Sequence, residues 1–209
     1  MRPITKGPEP VAFARWKIVG DPGWNPSYGD LANPQKNEVK ASLIAEQGAV
    51  CCYCERRITL PTSHIEHLVP QHADPSKDLD YGNLLASCEP ETKTSPPRCG
   101  HRKDDADLPV HPLLPDCSDY FVFESSGNVG PAPGAVHRDP ATRAIELLGL
   151  ALPEPVAARA KAIEGVIDIL TSEDAAFVAA YRASVHARDP QGQFLPFATA
   201  VAQFLATYA

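Results

Sequence analysis

The chain has 209 residues, enough for one substantial core or two small ones, and its 44% hydrophobic and 22% charged content is that of an ordinary globular protein. No stretch approaches the roughly 20 apolar residues of a membrane-spanning helix, and the opening residues MRPITKGPEPVAF lack the apolar run of a secretion signal. A cytoplasmic protein with no membrane partner is therefore expected, and in that compartment six cysteines point to metal or catalysis rather than to disulfides.

The net charge of −7 argues against a broad nucleic-acid footprint. Its distribution softens that argument. Residues 1–50 carry six basic and five acidic side chains, residues 51–110 seven and ten, and residues 111–209 six and eleven. Acids in the middle third could be metal ligands, whose charge a bound cation would offset. A nucleic-acid partner would then be held weakly or with assistance, because few counterions would be released.

In chain order, the 22 prolines crowd residues 1–34, 61–75, 90–115 and 131–155, so irregular backbone is expected there. Residues 1–33 read as an extended, turn-rich arm anchored by Trp16 and Trp24. The segment 33–48, NPQKNEVKASLIAEQG, reads as a helix with Val39, Leu43 and Ile44 on one stripe and Gly48 as its stop. Beyond the central stretch, Tyr120–Glu124, the turn 125–128 and a short return strand form a hairpin. Asp139-Pro140 caps a helix through about Leu150, and Pro153 or Pro155 opens a longer one through about Leu170. The segment 171–174 caps a third helix ending near Arg188, and Gln193–Tyr208 is a candidate fourth.

The chemistry is concentrated in residues 51–105. Cys51 and Cys54 have the Cys-x-x-Cys spacing of a tetrahedral zinc knuckle, with Cys88 and Cys99, ten residues apart, as the partner pair. Two buried thiols are the alternative reading of that second pair. Four thiolates would close the site and make its zinc structural. Cys52 and Cys117 fit no such spacing and read as packing residues. Between the pairs, Ser63-His64-Ile65-Glu66-His67 alternates like a short strand, with His64 and Glu66 on one face and Ile65 and His67 on the other. A Glu beside a His lets one side chain hold a divalent cation while its neighbour activates water. Asn83 could tie down the loop between strand and helix or merely cap a helix. His101 and Asp104, at the start of a short helix, are candidates for the last metal ligand. Arg102 and Lys103 could meet a phosphate or be solvated surface charges.

Cys-x-x-Cys, then Glu-His-Leu-Val-Pro, then Asn-Leu-Leu-x-x-Cys, then Cys-Gly-His-x-Lys resembles an HNH endonuclease of the ββα-metal class. The phrasing CCYCE, HIEHLVPQ, LDYGNLLASC and CGHRK more narrowly resembles the retron- and Septu-associated HNH family, which acts in anti-phage defence beside an ABC-type ATPase. The first resemblance covers about 55 residues. It implies that His67 is the general base, Glu66 the metal-binding acid and Asn83 the middle Asn that orients the motif. In a compact motif the final His or Asn directly follows the last cysteine, where this chain has Gly100. His101 is then the preferred last ligand and Asp104 the second choice, while His64 could assist the metal or His67.

The expectation is an α+β chain. A zinc-stapled ββα-metal core at 51–110 is embedded between an N-terminal arm and helix at 1–50 and a C-terminal hairpin with helices at 111–209, together forming one compact unit. Its expected activity is hydrolysis of DNA phosphodiester bonds with Mg²⁺ or Mn²⁺, RNA being left open, with an ATPase partner in anti-phage defence. The competing expectation is a non-catalytic zinc module that docks an ATPase or nucleic acid.

Overall fold

The N-terminal segment is more than an extended arm. In the computed structural model, which describes residues 1–18, 23–89, 92, 96–172 and 174–207, Val11–Ile18 forms helix α1. Eight residues free of Gly and Pro follow Pro10, whose carbonyl accepts the first helical bond from Ala14 N–H at 3.0 Å. Its buried anchor is Phe13, with Trp16 stacked on it at 6.0 Å; Trp24 meets Trp16 edge-on but stays 41% exposed, so it anchors little.

Helix α2, Gln35–Glu46, buries Val39 and Leu43 as their spacing requires, and Gly48 turns the chain out of it at a φ of +65°. Strands β1, Ser63–His67, and β2, Leu84–Cys88, pair antiparallel, with Ser63 opposite Cys88 and Glu66 opposite Leu85. Both strands are buried along their whole length, so the alternation marks two inner faces rather than one wet and one dry face. Helix α2 packs against β2, and the four-residue helix α3, Gly100–Lys103, lies beside His64 and Glu66. Leu84 and Leu85 are fully buried, each contributing about 1.5–3 kcal/mol. Of the ten residues between Cys88 and Cys99, 90, 91 and 93–95 lie outside the described residues.

The hairpin is present as β3, Phe121–Phe123, and β4, Val129–Pro131, in a second two-stranded antiparallel sheet. The first C-terminal helix, α4, runs Ala135–Leu148, so Pro140 sits inside it rather than at its start. The hydrogen bond Pro140 cannot make falls near exposed Val136, where water can serve the freed carbonyl. Helix α5 spans Pro153–Ser172, and α6, Ala175–Ser184, is capped by Asp174, whose side chain accepts from Phe177 N–H at 2.8 Å. Glu173 of that capping segment lies outside the described residues. Helix α6 stops short of Arg188, because the guanidinium of Arg188 bonds the carbonyls of Ala45, Glu46 and Gly192 and its backbone pairs with Phe194. Helix α7, Ala198–Thr207, begins five residues later than Gln193, since Pro196 and the +58° φ of Phe197 interrupt the run.

The architecture is thus α+β, with two small antiparallel sheets among helices. One apolar cluster joins α2, both strands of the first sheet and α4; a second joins α5 and α7 through Val166, Val185, Ala198, Val201 and Leu205. Buried Arg159 ties the hairpin to the body by donating to the carbonyls of Gly127, at 2.8 Å, and Leu150, at 2.6 Å. Among the described residues no helix is long and apolar enough to cross a membrane.

Candidate metal centre and catalytic cleft

The Cys-x-x-Cys turn directly follows α2 and is held by the first sheet: Cys52 N–H donates to the carbonyl of Ala86 at 3.1 Å, and Cys88 N–H donates to Cys51 Sγ at 3.2 Å. Cys88 ends β2, and Cys99 N–H is fixed on the carbonyl of Leu148 at 2.8 Å. These anchors bring the Sγ atoms of Cys51, Cys54, Cys88 and Cys99 within 4.8 Å of one another, all buried. Cys54 and Cys88 are 3.8 Å apart. A tetrahedral zinc with Zn–S bonds of about 2.3 Å demands S···S edges of about 3.8 Å, so this thiol set fits zinc. Burial raises the Cys51 thiol, yet hydrogen bonds from its neighbours outweigh that and hold it well below the ordinary range. The buried thiols Cys52 and Cys117 stand outside the group and pack in the core, as expected.

Beside this knot opens a cleft of about 230 Å³ lined by Tyr28, His64, Glu66, His67, Gln71, Gly100, His101, Asp104 and Asp105, among others. The strand period aims His64 and Glu66 together at Gly100, on α3. Glu66 Oε1 is committed inward: it accepts from Tyr53 Oη at 2.9 Å and lies 3.3 Å from Lys103 Nζ. Glu66 Oε2 instead faces His64 Nε2 at 3.6 Å. The other nitrogen of His64, Nδ1, sits 3.0 Å from the carbonyl of Glu89, so in the neutral ring it carries the proton and Nε2 a lone pair. That Nε2 is buried and makes no hydrogen bond among the described residues. Two electron-rich atoms face each other across the notch, and a proton or a cation would reconcile them. With a proton there, burial lowers the His64 pKa, but the Glu66 carboxylate, the Glu89 carbonyl and Cys51 together raise it, and the net shift is upward.

Gly100 completes the notch. A Cβ at this position would collide with Glu66 Oε2 and stand 2.7 Å from His64 Nε2, so the slot where a compact motif carries a side chain is here required to be empty. His101, the next residue, stacks on His64 with ring centroids 3.8 Å apart, and its Nδ1 lies 3.5 Å from Glu89 Oε2. Asp104 and Asp105 line the same cleft, Asp105 pairing with exposed His72 at 3.2 Å. Among the described residues, the four cysteines are the only group of three or more His, Cys, Asp or Glu with ligand atoms all within 4.8 Å; Glu66, His101 and Asp104 share a cleft but not that proximity.

His67 ends β1. Its Nε2 lies 2.9 Å from the carbonyl of Asp78, while Gln71 Nε2 donates toward Nδ1 at 3.3 Å. Both contacts select one tautomer, with the proton on Nε2 and a lone pair on Nδ1. Burial lowers the His67 pKa below the ordinary imidazole value, and the upward pull of the Asp78 carbonyl, Glu66 and Asp78 does not cancel it. Tyr28 meets the ring edge-on at 4.5 Å. Asn83 ties down the loop between β1 and β2, rather than one leading to a helix. Its Oδ1 accepts from Val69 N–H at 2.8 Å, and its Nδ2 donates to the carbonyls of Val69, at 3.0 Å, and Lys77, at 3.1 Å.

The structure overturns the phosphate role for Lys103, whereas Arg102 stays on the exposed surface. Lys103 is only 2% exposed and donates to the carbonyls of His67, at 3.0 Å, and Asp104, at 3.2 Å. Arg102 donates to the carbonyl of Glu146 at 3.0 Å. Tyr53 and Lys103 are the two side chains of this site whose place on Glu66 was not anticipated. A tyrosine inside a zinc knuckle is a usable signal, since a buried phenol needs a partner.

No family model matches this chain. A protein of Vibrio cholerae serotype O1 biovar El Tor described as "Retron Vc95 putative HNH endonuclease" is 30% identical over 140 residues, which cover 65% of this chain and 68% of that protein. Similarity of that extent is that of a common family: the chain belongs to the retron-type HNH endonucleases.

Proposed function

We propose that the chain is a metal-dependent endonuclease hydrolysing DNA phosphodiester bonds, with β1, β2 and α3 as its ββα-metal core. One observation carries the reading. Glu66 and His67, adjacent at the end of β1, line one open cleft; Glu66 Oε1 is committed to Tyr53 and His67 Nε2 to the Asp78 carbonyl, while His67 Nδ1 meets Gln71, itself a side chain of the cleft wall. In this reading His67 Nδ1 takes a proton from the attacking water, and the Asp78 carbonyl steadies the imidazolium through Nε2–H. Glu66 Oε2 would hold the cation, with His64, His101 and Asp104 as the further candidate donors lining the cleft. Mg²⁺ or Mn²⁺, when bound, supplies the positive charge that stabilises the leaving 3′ oxygen and a non-bridging oxygen. Asn83 fixes the loop that carries Asp78 and so the orientation of His67.

The cleft has little positive charge to spend on phosphates: Lys103 is buried on carbonyls, and Arg98 pairs with Glu89 and Glu154. We therefore infer that DNA is delivered with help, by an ABC-type ATPase partner in anti-phage defence, as the family resemblance implies. The test is incubation of the pure protein with plasmid DNA and Mg²⁺ or Mn²⁺, with and without that partner, beside a His67→Ala control. Cleavage that needs wild-type His67 supports the reading. Cation-dependent binding without cleavage in either arm would favour the docking module instead, and cleavage of RNA alone would change the substrate.

Two further outcomes follow from the same geometry. Because burial lowers the His67 pKa, the base is ready at neutral pH, and activity should be lost only as pH falls through a value below the ordinary 6.5 or so. Of the groups facing the ring, Glu66 and Asp78 pull this limb up and Lys103 pulls it down. A pH–rate profile at saturating cation measures it, and a limb above the ordinary value would contradict the assignment. Gly100→Ala should weaken Mn²⁺ binding by about tenfold or more with zinc content unchanged, since the methyl occupies the notch. Unaltered Mn²⁺ affinity in titration calorimetry would place the cation elsewhere.

A further inference from the structure

We propose that Tyr53, with Lys103, is a positioning residue for Glu66, so that cation affinity in the cleft depends on the zinc knuckle. The inference rests on the reading of Glu66 as a cation ligand and adds what makes it an effective one. A carboxylate's terminal torsion is broad and roughly two-fold, so an unsupported Glu66 would present either oxygen, in many orientations. Here two donors converge on Oε1, the Tyr53 hydroxyl at 2.9 Å and Lys103 Nζ at 3.3 Å. Oε2 is thereby left as the oxygen that faces the notch.

The donors come from the two elements that flank β1. Tyr53 is fully buried in the knuckle itself, between Cys52, whose N–H is bonded to Ala86, and the thiol ligand Cys54. The zinc thiolates thus fix the backbone that carries the phenol. Lys103, at the end of α3, also donates to the carbonyls of His67 and Asp104, so one ammonium joins the strand end, the carboxylate and the helix end.

Two effects oppose each other at Glu66. Donors on Oε1 draw charge from the carboxylate, and the Lys103 ammonium repels a cation, both weakening binding. Fixing Oε2 before the ion arrives strengthens it. Outer-shell partners of ligands typically contribute about 10–100-fold to metal affinity, so orientation should win.

The test is Mn²⁺ affinity of the zinc-loaded full chain, read by calorimetry or by the free-Mn²⁺ EPR signal, for wild type, Glu66→Ala, Tyr53→Phe and Lys103→Gln. Tyr53→Phe should raise the Mn²⁺ Kd about tenfold and keep its zinc. Its cleavage rate should recover to near wild type at saturating Mn²⁺, a loss in half-saturation rather than in maximal rate. Wild-type Mn²⁺ affinity in a zinc-loaded Tyr53→Phe protein would overturn the inference. If that variant fails to fold, Lys103→Gln decides by sign. Charge removal alone would tighten Mn²⁺ binding and overturn the proposal, whereas weaker binding supports positioning. Equal binding by wild type and Glu66→Ala would instead remove Glu66 as a ligand, a separate failure that takes this inference with it.

Discussion

Replacing His67 by alanine should lower the rate of DNA cleavage by about a hundred- to ten-thousandfold, the usual worth of a positioned general base, while zinc content and cooperative melting persist. The size follows from how completely the site is built around one lone pair. The Asp78 carbonyl holds the Nε2 proton, Gln71 approaches Nδ1 from the cleft side, and burial keeps the ring neutral. Alanine leaves the Asp78 carbonyl without its imidazole donor, which should cost about 1–3 kcal/mol of stability, too little to unfold a domain of ordinary stability. Single-turnover cleavage with saturating cation is the measurement, with bound zinc and thermal melting as controls. A zinc-loaded variant cutting at the wild-type rate would remove His67 from the chemistry.

Stripping the zinc, or replacing Cys51 or Cys54 by serine, should do something different and larger: abolish cooperative folding of the β1–β2 region and with it all activity. Apparent zinc-binding energies in small thiolate sites are about 10–16 kcal/mol, comparable with or above the whole stability of a typical domain, about 5–15 kcal/mol. The first sheet has only two strands of five residues each. Leu84 and Leu85 on β2 contribute about 1.5–3 kcal/mol apiece, well short of replacing the metal. The knuckle also reaches the C-terminal helices, since Glu55 Oε2 accepts from Thr199 N–H at 3.0 Å, so its loss should loosen α7 as well. Melting followed by near-UV circular dichroism after chelation is the check. An unchanged cooperative transition would show the four thiols to be ordinary core residues.

Some of this was readable residue by residue. The Cys-x-x-Cys turn, the strand carrying His64, Glu66 and His67, helix α2 and the long helix α5 depend on spacings of a few residues, and those periods report local geometry directly. The same local logic misplaced the start of α4. Pro140 favours a first-turn position, yet exposure beside Val136 lets the helix tolerate it one turn further in. It also ended α6 too late, because the hold of Arg188 on the last carbonyls of α2 is made across 142 and 143 residues of sequence.

By itself the sequence determined the ingredients: four thiols able to close a metal knot, an acid beside an imidazole, and an asparagine to tie the loop between them. Only the tertiary structure decided how they are used. It buried Lys103 on carbonyls instead of offering it to a phosphate, seated Tyr53 on one oxygen of Glu66, and made the missing side chain of Gly100 a requirement rather than a loss. The reason is that a residue's type states which bonds it can make, whereas the knuckle, β1 and α3 meet only through packing between segments far apart in the chain, and that meeting sets which of those bonds are available.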